Sequence, residues 1–293
     1  MDYKEKLKSF SKEKDYFVGI DSDGCVFPSM ELKQKECFIP NIVKYFQLQS
    51  ISKYVRETAE WVNLYSIYRG ANRFKALCKT FELLSNRKEI KKINFKLPDW
   101  TDLDKFVKSG LPLSNAGLKE FLKSNNSNFL KIVLEWSEAV NLTVEDMVKE
   151  LEPFIYVRES LEKLKNFADI IIVSATPVDT LQREWRNQNL DKYPKLIAGQ
   201  EMGSKVEHLK IAIGKYDTEK ILMIGDAIGD YESAKKVDAL FYPIKPGHEE
   251  ESWERFYNEA IDKFFNLEYK GEYEKKLIDE FFNLLQEKPY WEK

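Results

Sequence analysis

Three short apolar runs, each ending abruptly in polar chemistry, constrain this chain most. Tyr16-Phe17-Val18-Gly19-Ile20 stops at Asp21-Ser22-Asp23-Gly24, Ile170-Ile171-Ile172-Val173 at Ser174-Ala175-Thr176-Pro177, and Ile221-Leu222-Met223-Ile224 at Gly225-Asp226-Ala227-Ile228-Gly229-Asp230. Runs of four to eight apolar residues bounded by turn signals suit strands buried on both faces, as in a parallel sheet. Between and after them the pattern reads as helix: about Ser160–Phe167, Val178–Asn189, Gly203 to about Lys215, and on through Lys236. A weaker strand is expected at Leu196–Ala198 and another at Ala239–Tyr242. Such alternation predicts an α/β fold with a doubly wound parallel sheet. In sheets of that kind, ligands bind in the crevice beyond the carboxyl ends of the strands.

From about Ile39 to Leu151 the texture differs. Strand signal is scarce and 3.6-residue patterning dominates. Tyr54, Thr58, Trp61, Tyr65 and Tyr68, with Val55 and Val62, form one stripe on an expected long helix. Helices are expected near Asn72–Leu84, Thr101–Lys108, Ser114–Lys123, Phe129–Val140 and Thr143–Leu151. Thr101 and Ser114 are candidate N-caps, and Thr143 with Asp146 resembles a capping box. The domain expectation is therefore a discontinuous core, residues 1–28 and 153–293, interrupted by an all-helical module at 29–152. The tail from Glu249 reads as two amphipathic helices.

Composition narrows the function classes. Hydrophobic residues make up 43% and charged residues 32%, and the net charge is -3. That balance describes a soluble globular protein with no global attraction to nucleic acid. No run approaches the ~20 apolar residues of a membrane span, and the charged start lacks a signal-peptide pattern. Cys25, Cys37 and Cys78 form no Cys-x-x-Cys pair, which favours a reducing, cytoplasmic setting over a disulfide or zinc framework. The clustered Lys88, Lys91, Lys92 and Lys96 read as a solvated face.

The polar strand ends carry the chemistry. Alternation puts the Asp21 and Asp23 side chains on one side, about 7 Å apart at roughly 3.3 Å per residue, with Ser22 opposite. Asp-x-Asp-Gly could be a turn alone. A calcium loop is excluded, because its sixth and twelfth positions would be Val26 and Leu32 instead of Gly and Glu. Cys25 beside the acids could be a nucleophile, but neither His208 nor His248 is nearby in sequence, and a buried packing role suits it better. Asp21/Asp23, Ser174, Lys205 and Asp226/Asp230 together suggest phosphoryl transfer through a covalent aspartyl intermediate. Asp21 would be the nucleophile and Asp23 the acid/base. Ser174 and Lys205 would stabilise the phosphoryl oxygens. Mg²⁺ takes oxygen ligands, for which Asp21, Asp23, Asp226 and Asp230 are candidates.

In order and spacing these segments resemble the four motifs of the haloacid dehalogenase superfamily. D-S-D-G-C-V is similar to the first, I-I-I-V-S-A-T to the second, G-S-K-V-E-H-L to the third and I-G-D-A-I-G-D to the fourth. The resemblance implies a Rossmann-like core, with the helical insertion as a cap closing over small substrates. The second acid, Asp23, favours phosphate esters over carbon–halogen cleavage. Cys25 departs from the usual Thr or Val, and Lys210 and Lys215 compete with Lys205 for the third motif. The expected activity is a Mg²⁺-dependent phosphatase for a small phosphorylated metabolite, in a monomer or homodimer without nucleic-acid or membrane partners. A phosphomutase of the same superfamily and a non-catalytic metabolite-binding protein are the alternatives. Arg69 and Arg73, around the Gly70 break, and Thr176 are the substrate-binding candidates.

Overall fold

A computed structural model describes residues 3–292. Its five strands form one all-parallel sheet in the order β3-β2-β1-β4-β5. These are β1 (Tyr16–Ile20), β2 (Ala168–Val173), β3 (Leu196–Ala198), β4 (Ile221–Gly225) and β5 (Leu240–Pro243). In register, Ile20 pairs with Ile172 on one side and Ile224 on the other. The chain winds outward from β1 to β2 and β3, then crosses back to β4 and β5. The reversal lies between β1 and β4, which is where such sheets open a crevice. Every residue of β2 and β4 is buried. That two-sided burial is what their unbroken aliphatic runs require.

Two units divide the chain: residues through Met30 with Glu150–Leu285, and Glu31–Lys149 with the segment from Gln286 onward. The sheet unit has its core around Val18, Ile20, Ile172, Leu222, Ile224, Trp185, Trp253 and Phe256. The helical unit centres on Ile42, Phe46, Phe74, Leu77, Phe81, Phe106, Val133 and Trp136. The rings of Phe38, Phe46 and Phe74 all lie within 6.4 Å of Trp136, centroid to centroid. Such aromatic contacts add to what area burial alone contributes. Among the described residues, no helix is long and apolar enough to cross a membrane.

Several local expectations change in the helical unit. The stripe helix is regular over Ser52–Glu60 and then widens into a π-helical turn, Trp61–Tyr65. A π turn carries an extra residue and rotates everything after it. Val55, Thr58, Ala59, Trp61 and Val62 stay buried, while Tyr65 is left 38% exposed. Thr143 caps nothing, because a single helix runs Asn128–Met147. Its hydroxyl donates back to the Ala139 carbonyl and accepts from Asn41 Nδ2, so the helix continues through it. Thr101 is inside its helix, with Trp100 at the N-cap position. Asp99 Oδ1 accepts from the Thr101 backbone N–H and hydroxyl. Ser114 does cap, accepting from Gly117 N.

The last residues group with the helical unit, although the sequence pattern assigned them to the core. Gln286 N donates to the Tyr65 carbonyl (3.0 Å), and Ile67 N donates to the Gln286 carbonyl (3.2 Å). Trp61 Nε1 donates to Gln286 Oε1, and the Trp61 and Trp291 rings are 5.9 Å apart. The Arg87 guanidinium lies 4.3 Å from the Trp291 centroid and 4.9 Å from that of Tyr54, and Nη2 pairs with Glu57 at 2.6 Å. Apolar helix periodicity cannot register the Gln286 and Arg87 contacts, since they are made by polar side chains and by backbone.

Candidate active site

Asp21 leaves β1 with its N–H donated to the Ile224 carbonyl, so the sheet ladder itself aims its side chain. The next residues form a tight turn. Cys25, Val26 and Phe27 N–H groups all donate to the Ser22 carbonyl, and Gly24 takes φ +73°, a left-handed conformation that favours glycine. Turn and site are therefore the same structure. Ser22 turns inward, its hydroxyl accepting from Trp185 Nε1 at 3.0 Å. Cys25 is wholly buried, and burial, with the carboxylates nearby, pushes its thiol pKa up. An inaccessible thiol held protonated is packing, not a nucleophile.

Asp21 Oδ1 accepts from Ser22 N (2.8 Å), and Oδ2 pairs with Lys205 Nζ (2.8 Å). Lys205 is the first residue of the short helix Lys205–Leu209, and Ser204 with Glu207 forms a capping box at its start. Its ammonium also donates to Asp230 Oδ1 at 2.5 Å. Lys215, one of the two competing lysines, donates instead to the Phe10 carbonyl. Asp226 follows β4 and is 2% exposed. Asp230 is buried, and its Oδ2 accepts from Ala227 N at 3.2 Å. Gly225 permits this arrangement, because a Cβ there would lie 2.4 Å from the Asp230 Cβ.

The remaining predicted residues fall in two places. Asp23 accepts from the Ser29 hydroxyl on Oδ1 and from Thr176 Oγ1, 2.8 Å away, on Oδ2. Thr176 thus orients the second acid. Ser174 is buried, its N–H donated to Ala198 O and its Oγ accepting from Thr176 N. Arg69 and Arg73 belong to the helical unit, where Arg69 is buried and donates to the Leu64 carbonyl. Sequence reasoning passed over Ser29 and Gly225. Gly225 was visible as a glycine between a strand and an acid, whereas Ser29 had no signal of its own.

Asp21, Asp226 and Asp230 offer carboxylate oxygens that all lie within 4.8 Å of one another. Asp21 and Asp230 share a single ammonium, that of Lys205, so these two buried carboxylates outnumber the cation they hold, and buried charge is costly to leave unbalanced. Burial raises Asp21 from 3.8 to about 6; Lys205 works against that rise and Asp226 adds to it. Asp230 is raised to about 6, again by burial first, with Lys205 opposing and Asp21 adding. Burial disfavours the charge on Lys205, but Asp21 and Asp230 outweigh it and hold the ammonium protonated. A hard divalent cation taking oxygen ligands fits this donor set and charge deficit. Asp23 is outside the trio.

The sign of the pH effect follows. A carboxyl whose folded pKa exceeds its unfolded one binds more protons when folded, so stability falls as pH rises between the two values. Without metal, the Asp21 and Asp230 contributions are present below pH 3.8 and lost through about pH 6. A divalent cation held by these carboxylates, at ~100 times its Kd, should therefore raise Tm by roughly 5 °C at pH 7.5 and markedly less at pH 5. Scanning calorimetry in EDTA and in Mg²⁺ reads this directly. Equal shifts at both pH values would count against these carboxylates as the ligands.

The parallel sheet thus carries beyond its strand ends a buried trio of aspartates, two of which pair with one lysine. Residues 72–242, more than half of the chain, match the family model of the haloacid dehalogenase-like hydrolases, and the protein belongs to that family. The matched span contains Ser174, Lys205, Asp226 and Asp230; Asp21 and Asp23 precede it. No curated protein sequence matches the chain. Solved structures similar to it include one described as a predicted phosphatase from Clostridium acetobutylicum (16% identity, TM-score 0.39, 79% of this chain and 85% of that one). A haloacid dehalogenase-like hydrolase from Streptococcus pneumoniae is similar at 13% identity and TM-score 0.43, over 81% and 90%. One described as a predicted phosphoglycolate phosphatase from Haemophilus somnus is similar at 13% and 0.45, over 80% and 86%. Likeness this distant says nothing of this chain's substrate.

Proposed function

We propose that the protein is a Mg²⁺-dependent phosphatase that hydrolyses a small, soluble phosphate monoester through an aspartyl-phosphate on Asp21. The observation that carries this reading is the Asp21 carboxylate at the end of β1, paired with Lys205 beside Asp226 and Asp230. Asp21 attacks phosphorus, and the ester P–O bond breaks as Asp23 gives its proton to the departing oxygen. Asp23 then takes a proton from water, which attacks the same phosphorus and breaks its bond to Asp21. Free phosphate leaves, and both carboxyls return to their starting states. Ser29 and Thr176, each donating to one oxygen of Asp23, fix the direction in which that carboxyl faces. Lys205 offsets charge on the phosphoryl oxygens and Ser174 donates a hydrogen bond to one of them. Asp21, Asp226 and Asp230 would hold Mg²⁺, which supplies the positive charge that an anionic nucleophile needs to approach an anionic ester.

The three cysteines are free, which suits a reducing compartment such as the cytoplasm. The direct test is release of inorganic phosphate from a panel of sugar phosphates, nucleotides, phosphorylated acids and an aryl phosphate in Mg²⁺. Turnover is expected on at least the aryl phosphate, lost in EDTA and restored by excess Mg²⁺. Phosphate transferred between positions of a sugar without release, or no turnover on any member, would overturn the reading.

A further inference from the structure

Arg73 is the unusual cation of the helical unit. Its neighbour in kind, Arg87, is buried against a carboxylate, Glu57. Arg73 has none: among the described residues no acid pairs with it, and all of its side-chain hydrogen bonds run through Nη1 to neutral oxygens. These are the Ser137 carbonyl and hydroxyl, each 3.0 Å away, and Asn141 Oδ1 at 2.8 Å. The Ser137 hydroxyl accepts from Arg73 and donates to Asn115 Oδ1 at 2.6 Å, so the acceptor is itself oriented. The Phe38 ring lies 5.0 Å from the guanidinium carbon. Burial with no acid to offset it lowers the Arg73 pKa to about 10.

A guanidinium has five donors in a rigid plane. Here one nitrogen is anchored while Nε and Nη2 meet no acceptor among the described residues. That pair is the edge which binds carboxylate or phosphate oxygens two at a time. A half-buried cation held only by neutral groups gains more from an arriving anion than a fully exposed arginine does, since water screens it less. We propose that Arg73, steadied by Ser137, Asn141 and the Phe38 ring, is an oxyanion-binding site of the helical unit that takes a carboxylate or phosphate group on its Nε–Nη2 edge. The site stands apart from the phosphatase reading, because its argument uses no residue of the sheet unit. Two sources could supply the anion: a free oxyanion in solution, or an acidic group on the enzyme's own phosphate ester.

Phenylglyoxal labelling of the intact protein, mapped peptide by peptide, tests the site without turnover. Millimolar inorganic sulfate is expected to slow labelling of Arg73 about 5- to 10-fold and leave the exposed Arg56 unaffected. Protection by a carboxylate-bearing phosphate ester, at concentrations where sulfate gives none, assigns the anion to the substrate. In that case Arg73→Gln should lower kcat/KM for carboxylate-bearing esters about 10- to 100-fold more than for a neutral aryl phosphate. Protection by sulfate together with an unchanged selectivity ratio assigns a free anion. No protection by either probe overturns the site, as does an Arg73 that phenylglyoxal never reaches, because the edge would then be closed to ligands. The labelling result is independent of aryl phosphate turnover, so the failure of one reading is seen separately from that of the other.

Discussion

Asp21→Asn should bring hydrolysis of an aryl phosphate to background, a fall of roughly 10⁴- to 10⁶-fold in kcat. The amide is close in shape to the carboxylate and can still accept from Ser22 N, whose bond to Asp21 is 2.8 Å. What it lacks is the anionic oxygen that bonds to phosphorus. Removing one of three buried acids also relieves repulsion with Asp226, which contributes to the raised Asp21 pKa. The variant should therefore fold and melt no lower than the parent in the absence of metal. Loss of activity with retained or raised Tm identifies Asp21 as a reacting group. Activity surviving within tenfold of the parent would mean that another residue is phosphorylated, and a steady-state assay with calorimetry decides between them.

The second large effect is on the fold. Lys205 is the cation that Asp21 and Asp230 both hold, at 2.8 and 2.5 Å, and its side chain is only 19% exposed. Lys205→Met keeps much of the volume but leaves the carboxylates without their ammonium. Breaking a buried pair in this way costs about 3–5 kcal/mol. The loss should be largest in metal-free protein above pH 6 and shrink toward pH 5, where Asp21 and Asp230 take up protons, since burial raises both to about 6. Lys215→Met is the control: its ammonium donates to the Phe10 carbonyl, so about 1 kcal/mol is expected. Urea unfolding at two pH values measures both. A Lys205→Met penalty independent of pH would argue against the charge account.

How much was legible varies with the kind of force involved. β1, β2 and β4 could be read because a strand buried on both faces must be an unbroken apolar run, and because polar residues at its end cannot join the ladder's core. The same logic located Asp21, Ser174 and Asp226. Lys205 could be read for a different reason, its place directly after the N-cap Ser204. The Tyr65 position could not be, since one extra residue in the Trp61–Tyr65 turn shifts the phase that a fixed period assumes. Thr143 misled because a cap and a mid-helix threonine share one residue type. Their difference lies in whether the hydroxyl bonds forward or, as here, back to Ala139. The support of Asp23 by Ser29 and Thr176 joins residues 153 positions apart in the Thr176 case, beyond any local pattern.

The pairing of Gln286 with Tyr65 and Ile67 has a bearing on biogenesis. Translation delivers residues in order, and domains generally fold as units while that proceeds. Glu31–Lys149 emerges early, but the strand-like partner of Tyr65 and the indole that covers Arg87 are made only after β5 and the helix Glu272–Leu284. The inserted unit must therefore wait, one flank unfinished, until the whole sheet has been synthesised.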